Sequence, residues 1–375
     1  MILALYGITV LYVIFIISLV YGFCKLPIFK GEESHPKIGF SIVIPFRNEA
    51  NKLPQLLGSI KDLSYAKDQF EVLLVDDKSE DLSVEIIKST LNGFDINYQI
   101  LPNRRSSGSP KKDAIKTAIQ QSRFDWILTT DADCILPSKW LLTFARFIQK
   151  QNSEMVVGPI SYMAIDFSFL EQFQTLDFLS LQGSTAGGFG IGQAFLCNGA
   201  NLAYKKAIFR ALNGFDGNDQ IASGDDIFLL EKFLKKHKEK VHFLKSKWAI
   251  VRTYPLKSWQ EVIQQRTRWA AKSSSYSLGI ARFAGLLVLM MNLGWIAGIG
   301  MMLWKSKFVF FVIITALKLV ADFFFIKLTS AFYKSKTQTL RTFPLSFFIY
   351  PFFSSYIALR SVFASYRWKG RKFKR

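Results

Sequence analysis

Apolar and polar positions divide this chain into two kinds of territory. Residues 1–23 carry no charged side chain, and three further apolar blocks follow at 283–304, 308–326 and 342–359. Between them, residues 38–270 alternate short apolar runs with amphipathic stretches. The runs predict strands at 40–46, 71–75, 96–101 and 124–130, and the stretches predict helices at 53–63, with Pro54 in its first turn, and at 112–122. A strand–helix rhythm of this kind gives an α/β domain with a mostly parallel sheet and helices on both faces. Ligands of such domains bind beyond the carboxyl ends of the strands.

The first apolar block is long enough to span a bilayer. It has neither a basic leading region nor a small-x-small cleavage site, so it reads as an uncleaved anchor. Lys25 and Lys30 follow it and place the next domain in the cytoplasm. Lys318 and Asp322 are four apart in the third block, on one helical face where each neutralises the other. The last block contains Pro344 and Pro351, which suits a kinked or re-entrant segment. The tail, 367–375, is mostly Lys and Arg and belongs with the cytoplasmic face. The expectation is therefore an even number of full C-terminal crossings, with one segment interfacial or re-entrant.

Composition sharpens this picture. The chain of 375 residues is 50% hydrophobic, contains 36 Phe, and has a formal charge of +20. A membrane protein with a basic cytoplasmic surface explains both extremes. Nucleic-acid binding explains only the charge, and no reader motif groups the basic residues. A transporter needs polar residues spread over several spans, whereas only Lys318 and Asp322 stand out. Cys24, Cys134 and Cys197 match no zinc spacing, and their odd number fits a reducing compartment better than a disulfide framework.

Candidate chemistry gathers at strand ends. The run 125–134 leads into Asp131-Ala-Asp133, and strand alternation puts both carboxylates on one side. Like charges so placed suit a hard divalent ion, Mg²⁺ or Mn²⁺, and phosphate oxygens with it. The first strand ends Ile-Pro45-Phe-Arg47-Asn48-Glu49 and the second Val-Asp-Asp77-Lys-Ser79. Taken singly these are ordinary turns, with Asn48 and Ser79 as helix caps; together they argue for one pocket. Lys111 and Lys112 open a helix after the Ser/Gly loop at 104–110, where an anionic phosphate would offset an unfavourable dipole. Further on come Asn198-Gly-Ala-Asn201, then Gly224-Asp225-Asp226 before an amphipathic helix, then Gln265-Arg-Thr-Arg268-Trp269 before the second apolar block. The acid pair either favours a helix start or supplies a general base whose partner raises its proton affinity.

In this order the elements resemble the membrane-embedded branch of the family-2 inverting glycosyltransferases of GT-A fold, over about residues 38–270. The resemblance implies a Rossmann-like catalytic domain at 38–256, behind an anchor at 1–24. An interfacial region at 257–282 and membrane segments at 283–366 follow, two to three of them helices, before the tail. It implies donor-nucleotide contacts at Pro45, Arg47, Glu49, Asp77, Lys111 and Asp131, and a metal held by Asp133 with Asp131. It assigns Asp226 as catalytic base beside Asp225, and Asn198, Asn201, Gln265, Arg268 and Trp269 to the diphosphate and acceptor. The family's Thr-Glu-Asp is here Gly224-Asp225-Asp226, with the terminal Asp retained. The expected activity is hexosyl transfer from a UDP-sugar to a lipid or glycan acceptor at a bacterial inner membrane, with no nucleic-acid partner. A processive polysaccharide synthase is the alternative, although this membrane portion is smaller than those of cellulose or hyaluronan synthases.

Overall fold

The structure is a computed structural model and describes residues 2–31, 36–163, 166–221, 223–272, 276–277, 279–305, 308–334, 337–363, 366–368 and 371–373. Helix α1 (Ile2–Lys25) precedes β1 (Phe40–Phe46), α2 (Leu53–Lys61), β2 (Phe70–Asp76), α3 (Ser83–Leu91), β3 (Tyr98–Pro102) and α4 (Pro110–Gln121). Next come β4 (Trp126–Thr129), β5 (Cys134–Ile135), α5 (Trp140–Gln151), β6 (Met155–Val157), β7 (Ile160–Tyr162) and α6 (Phe169–Gly190). Then follow β8 (Leu202–Lys205), α7 (Lys206–Ala211), α8 (Ile227–His237), β9 (Val241–Phe243), β10 (Val251–Thr253) and α9 (Trp259–Ala271). The chain closes with α10 (Gly279–Lys305), α11 (Phe308–Tyr333), α12 (Thr337–Arg341), α13 (Phe343–Phe363), β11 (Tyr366–Trp368) and β12 (Arg371–Phe373).

Seven strands form one sheet in the order β3-β2-β1-β4-β8-β6-β9, in which only β8 runs against its neighbours. The central strands are apolar runs buried on both faces, as expected of parallel strands covered by helices. Alternation then divides β1 between two cores: Ile42 and Ile44 pack with α2 and α5, whereas Val43 packs with α4 and α8. The Val43 core continues without a break into α1, α10 and α11 through Leu19, Met291 and Phe325. The sheet and the apolar helices thus share one interior.

Four helices are long and apolar enough to cross a membrane, one N-terminal (α1) and three C-terminal (α10, α11, α13). The segment expected to kink is a continuous helix of 21 residues, with Pro351 inside it. Yet the α12 that precedes it lies against α6, and the β11 that follows it lies against α9. The segments at both ends of α13 therefore sit on α6 and α9, while α13 itself packs on α10 and α9. Helix α6 shows no helical period, because its polar residues, among them Glu171, Gln172, Gln174, Asp177 and Gln182, are buried like its apolar ones. Its backbone touches α1 directly: a Cβ on Gly190 would stand 1.9 Å from the Gly22 carbonyl oxygen.

Candidate active site

The carboxyl ends of β2, β1 and β4 lie side by side, in register from Pro45 opposite Val75 to Phe46 opposite Asp76. The loops leaving β1 and β2 clasp each other. Asn48 and Lys78 take left-handed backbone conformations there; the Asn48 N–H donates to Ser79 Oγ and the Glu80 N–H to Asn48 Oδ1. Asn48 and Ser79 are therefore cross-loop ties and not helix caps; α2 starts instead on the carbonyl of Glu49. Arg47 donates to the Asp77 carbonyl at 2.8 Å and pairs with Glu80 at 2.9 Å, so its guanidinium braces this floor. The Asp77 carboxylate receives Asn103 Nδ2 at 2.8 Å and Arg105 Nη1 at 3.2 Å.

Asp131 and Asp133 lie just beyond β4, in a turn closed by the Cys134 N–H on the Asp131 carbonyl. Strand alternation does not align them, since β4 ends at Thr129. Lys111 Nζ stands 2.7 Å from Asp131 and 3.2 Å from Asp225, and Lys52 Nζ stands 3.5 Å from Asp133. Burial lowers the proton affinity of Lys111, but the carboxylates of Asp131 and Asp225 outweigh it and hold the ammonium charged. Both Asp side chains remain 38% and 33% exposed towards the cavity, open to a ligand. Two hard carboxylates suit Mg²⁺ or Mn²⁺ when diphosphate oxygens complete the shell. Among the described residues no cluster of three or more His, Cys, Asp or Glu forms, so such an ion depends on the donor for its remaining ligands.

Lys112 departs from the expected phosphate contact. It is fully buried and donates to the carbonyls of Asn218 at 2.6 Å and Ile221 at 3.0 Å, and burial lowers its pKa to about 8. It ties down the loop that leads to the second acid pair. There Gly224 has φ +82°, a backbone that L side chains rarely adopt, and a Cβ would meet the Phe228 ring at 2.7 Å. The turn presents Asp225 to Lys111 and makes Asp226 the N-cap of α8, accepting from the Ile227 N–H at 2.8 Å. Lys272 lies 3.5 Å from Asp226. Burial raises the Asp226 pKa, but Lys272, Lys111 and the Ile227 and Gly199 N–H groups lower it further, and the net shift is downward. A partner that raises its proton affinity is thus not what the site contains: cations surround this carboxylate and keep it ionised.

Asn198 caps the short turn at 199–201 and lines the cavity. Asn201 does not reach the cavity. It is fully buried, donates to the Pro159 and Ala249 carbonyls and accepts from Trp140 Nε1 at 2.9 Å, which makes it a structural tie between β6, β8 and α5. Helix α9 begins in a capping box of Ser258 and Glu261 and carries Gln265, Arg268 and Trp269 on its cavity side. Arg266, next in sequence, is buried in an ion pair with Asp177 of α6 at 2.6 Å and lies 4.3 Å from the Trp269 ring.

Of the donor, metal, base and acceptor residues expected from the sequence, all but Asn201 line one cavity of about 1480 Å³, as do Lys52, Lys272 and Asp177. It opens at Pro45, Glu49 and Asp77, passes both acid pairs and α9, and continues between α1, α11 and α13 to Tyr12, Lys318, Asp322 and Tyr350. Sequence reasoning missed Lys52, Lys272 and Asp177. Each is brought in by tertiary packing, which no local pattern displays.

This sheet order, with the acidic turn after β4 and the site at the strand ends, is the GT-A fold. Residues 41–212 match the family model described as glycosyl transferase family 2, and the chain carries a domain of that family. A probable glycosyltransferase, YdaM of Bacillus subtilis, is 25% identical over 241 residues, covering 63% of this chain and 54% of its own. An undecaprenyl-phosphate 4-deoxy-4-formamido-L-arabinose transferase of Pseudomonas fluorescens is 31% identical over 174 residues, 46% of this chain and 48% of its own. The chain thus spans about half the length of these curated relatives. Among solved structures, the mannosyltransferase PcManGT of Pyrobaculum calidifontis, in complex with GDP-Man and Mn²⁺, shares the fold over 96% of both chains, with a TM-score of 0.58 and 15% identity.

Proposed function

We propose that this chain is a metal-dependent inverting glycosyltransferase that moves a sugar from a nucleotide-sugar donor, of the UDP-sugar class, to a lipid-linked or membrane-proximal acceptor. The carrying observation is the continuous cavity, which joins the nucleotide end of the sheet to the apolar helices and passes Asp226 on the way. A lipid acceptor and a donor complex with Mn²⁺ are named for two of the similar proteins, which supports the reading. Pro45, Glu49 and Asp77 hold base and ribose over the floor braced by Arg47, and Lys111 faces the phosphates. Asp133 with Asp131 would hold Mg²⁺ or Mn²⁺, which when bound supplies positive charge beside the diphosphate. Asp226 takes the proton of an acceptor hydroxyl whose oxygen forms the new bond to the anomeric carbon. The bond from that carbon to the diphosphate breaks on the opposite face, inverting configuration. Arg268 opposes the charge gathering on the leaving group, and Gln265, Trp269 and Asn198 border the acceptor path. Lys25 and Lys30 favour a cytoplasmic catalytic domain at a bacterial inner membrane.

The test uses full-length protein in detergent with a panel of UDP- and GDP-sugars, Mg²⁺ or Mn²⁺, and membrane lipid extract, with nucleotide release as readout. Release that requires donor, ion and lipid together is the expected result. No release with any donor would overturn the proposal.

A further inference from the structure

The membrane end of the cavity carries two ion pairs that the transfer step does not use. Arg266 Nε donates to Asp177 at 2.6 Å between α9 and α6. Lys318 Nζ lies 2.6 Å from Asp322 in α11, and the Tyr12 hydroxyl of α1 donates to the other Asp322 oxygen at 2.6 Å. Tyr350 of α13 is within electrostatic reach of both Asp177 and Asp322. Aromatic rings border the same stretch, among them Phe173, 5.1 Å from Phe353. The Ser346 hydroxyl lines it too, buried and without a hydrogen-bond partner among the described residues.

Charges among membrane helices are costly and tend to mark ligand paths. A pair that merely joined α1 to α11 could be replaced by apolar side chains with little loss. The electrical balance identifies the ligand. Both buried cations here, Arg266 and Lys318, already face a carboxylate, so a phosphate entering this stretch would meet Asp177 and Asp322 without an uncompensated partner. A saccharide suits it better. Its hydroxyls donate to the two carboxylates and to the Tyr12 oxygen and accept from the Lys318 ammonium, while its C–H faces lie on aromatic rings. We infer that the acceptor is a glycolipid whose uncharged saccharide head seats on Tyr12, Asp322, Lys318 and the Arg266–Asp177 pair. This rests on the glycosyltransferase reading above and narrows it. It also places the chain after a priming reaction that attaches a first sugar to the lipid.

The experiment measures binding of radiolabelled dodecyl β-glucoside and dodecyl phosphate to the full chain in phosphatidylcholine nanodiscs, alongside UDP binding. The glucoside is expected to bind more tightly than the phosphate. Tyr12→Phe and Asp322→Asn should each weaken it about ten-fold, the scale of a hydrogen bond to a charged group, with UDP affinity unchanged. The double variant Lys318→Met/Asp322→Leu removes both charges together, leaves no orphaned ion, and should lose glucoside binding as well. A purely structural pair would lower Tm in these variants without selecting between the two amphiphiles. Tighter binding of dodecyl phosphate, or glucoside binding unmoved by every variant, overturns the inference while UDP binding keeps the transferase reading intact. Absence of UDP binding in the unmodified chain removes that reading and this inference with it.

Discussion

At the scale of single residues, the two acid pairs have separable tasks. Asp226→Asn keeps the shape of the α8 cap but cannot take a proton, so turnover should fall by about 10²–10⁴ with donor affinity retained. Asp225→Asn should be milder, because Asp225 faces Lys111 and not the acceptor side. If turnover ranks them the other way, the base is Asp225. The depressed pKa of Asp226 places the acid limb of kcat/KM below the ordinary carboxylate value of about 4. Lys272→Met removes a cation that favours the ionised form, so that limb should move to higher pH; a pH–rate profile that stays put would refute the pairing. Asp133→Ala should abolish metal-dependent donor binding in calorimetric titration while the protein stays folded.

At the scale of elements, much of the α/β order was legible because its signals are local. Strand β1 ends where the apolar run ends, and α4 starts at the Pro110 after the Ser/Gly loop. What stayed hidden was set at long range. Helix α6 has no polar face to produce a period, since it is enclosed by α1, α11 and the sheet and buries polar residues such as Glu171, Gln174 and Asp177 along with its apolar ones. The acids of the site were readable from their motifs, but Asn201 was not separable from Asn198 in the same motif, because only packing sends it to the Trp140 indole. The pairing of Lys52, Lys272 and Asp177 across the fold was equally beyond local pattern. Element packing also bears on topology. Helix α13 packs on α10 and α9, and the segments at its two ends lie against α6 and α9, so the expectation is that α10 and α11 are the full C-terminal crossings. Single cysteines placed near 100 and near 368 should therefore be labelled from the same face, the cytoplasmic one. Labelling of the tail from the outside would make α13 a third crossing.

At the scale of the whole molecule, the cavity runs from the strand ends into the interior that sheet and helices share, which suits an amphiphile. A polymer leaving through the membrane needs a continuous polar lining, because sugar hydroxyls cannot face lipid without partners. The stretch of this cavity beside α1, α6, α11 and α13 has polar groups that include Tyr12, Asp177, Gln182, Lys318, Asp322, Ser346 and Tyr350, set among Phe325, Ile326, Phe343, Phe347 and Phe353. These groups are expected to hold one or two sugars and an alkyl chain. The expected product is therefore one or a few sugars on a membrane lipid. Labelled donor incubated with the reconstituted chain alone should yield organic-soluble material of low molecular weight. A high-molecular-weight, glycosidase-sensitive product would show that the bundle does thread a polymer, alone or as a homo-oligomer, and would make the chain a synthase.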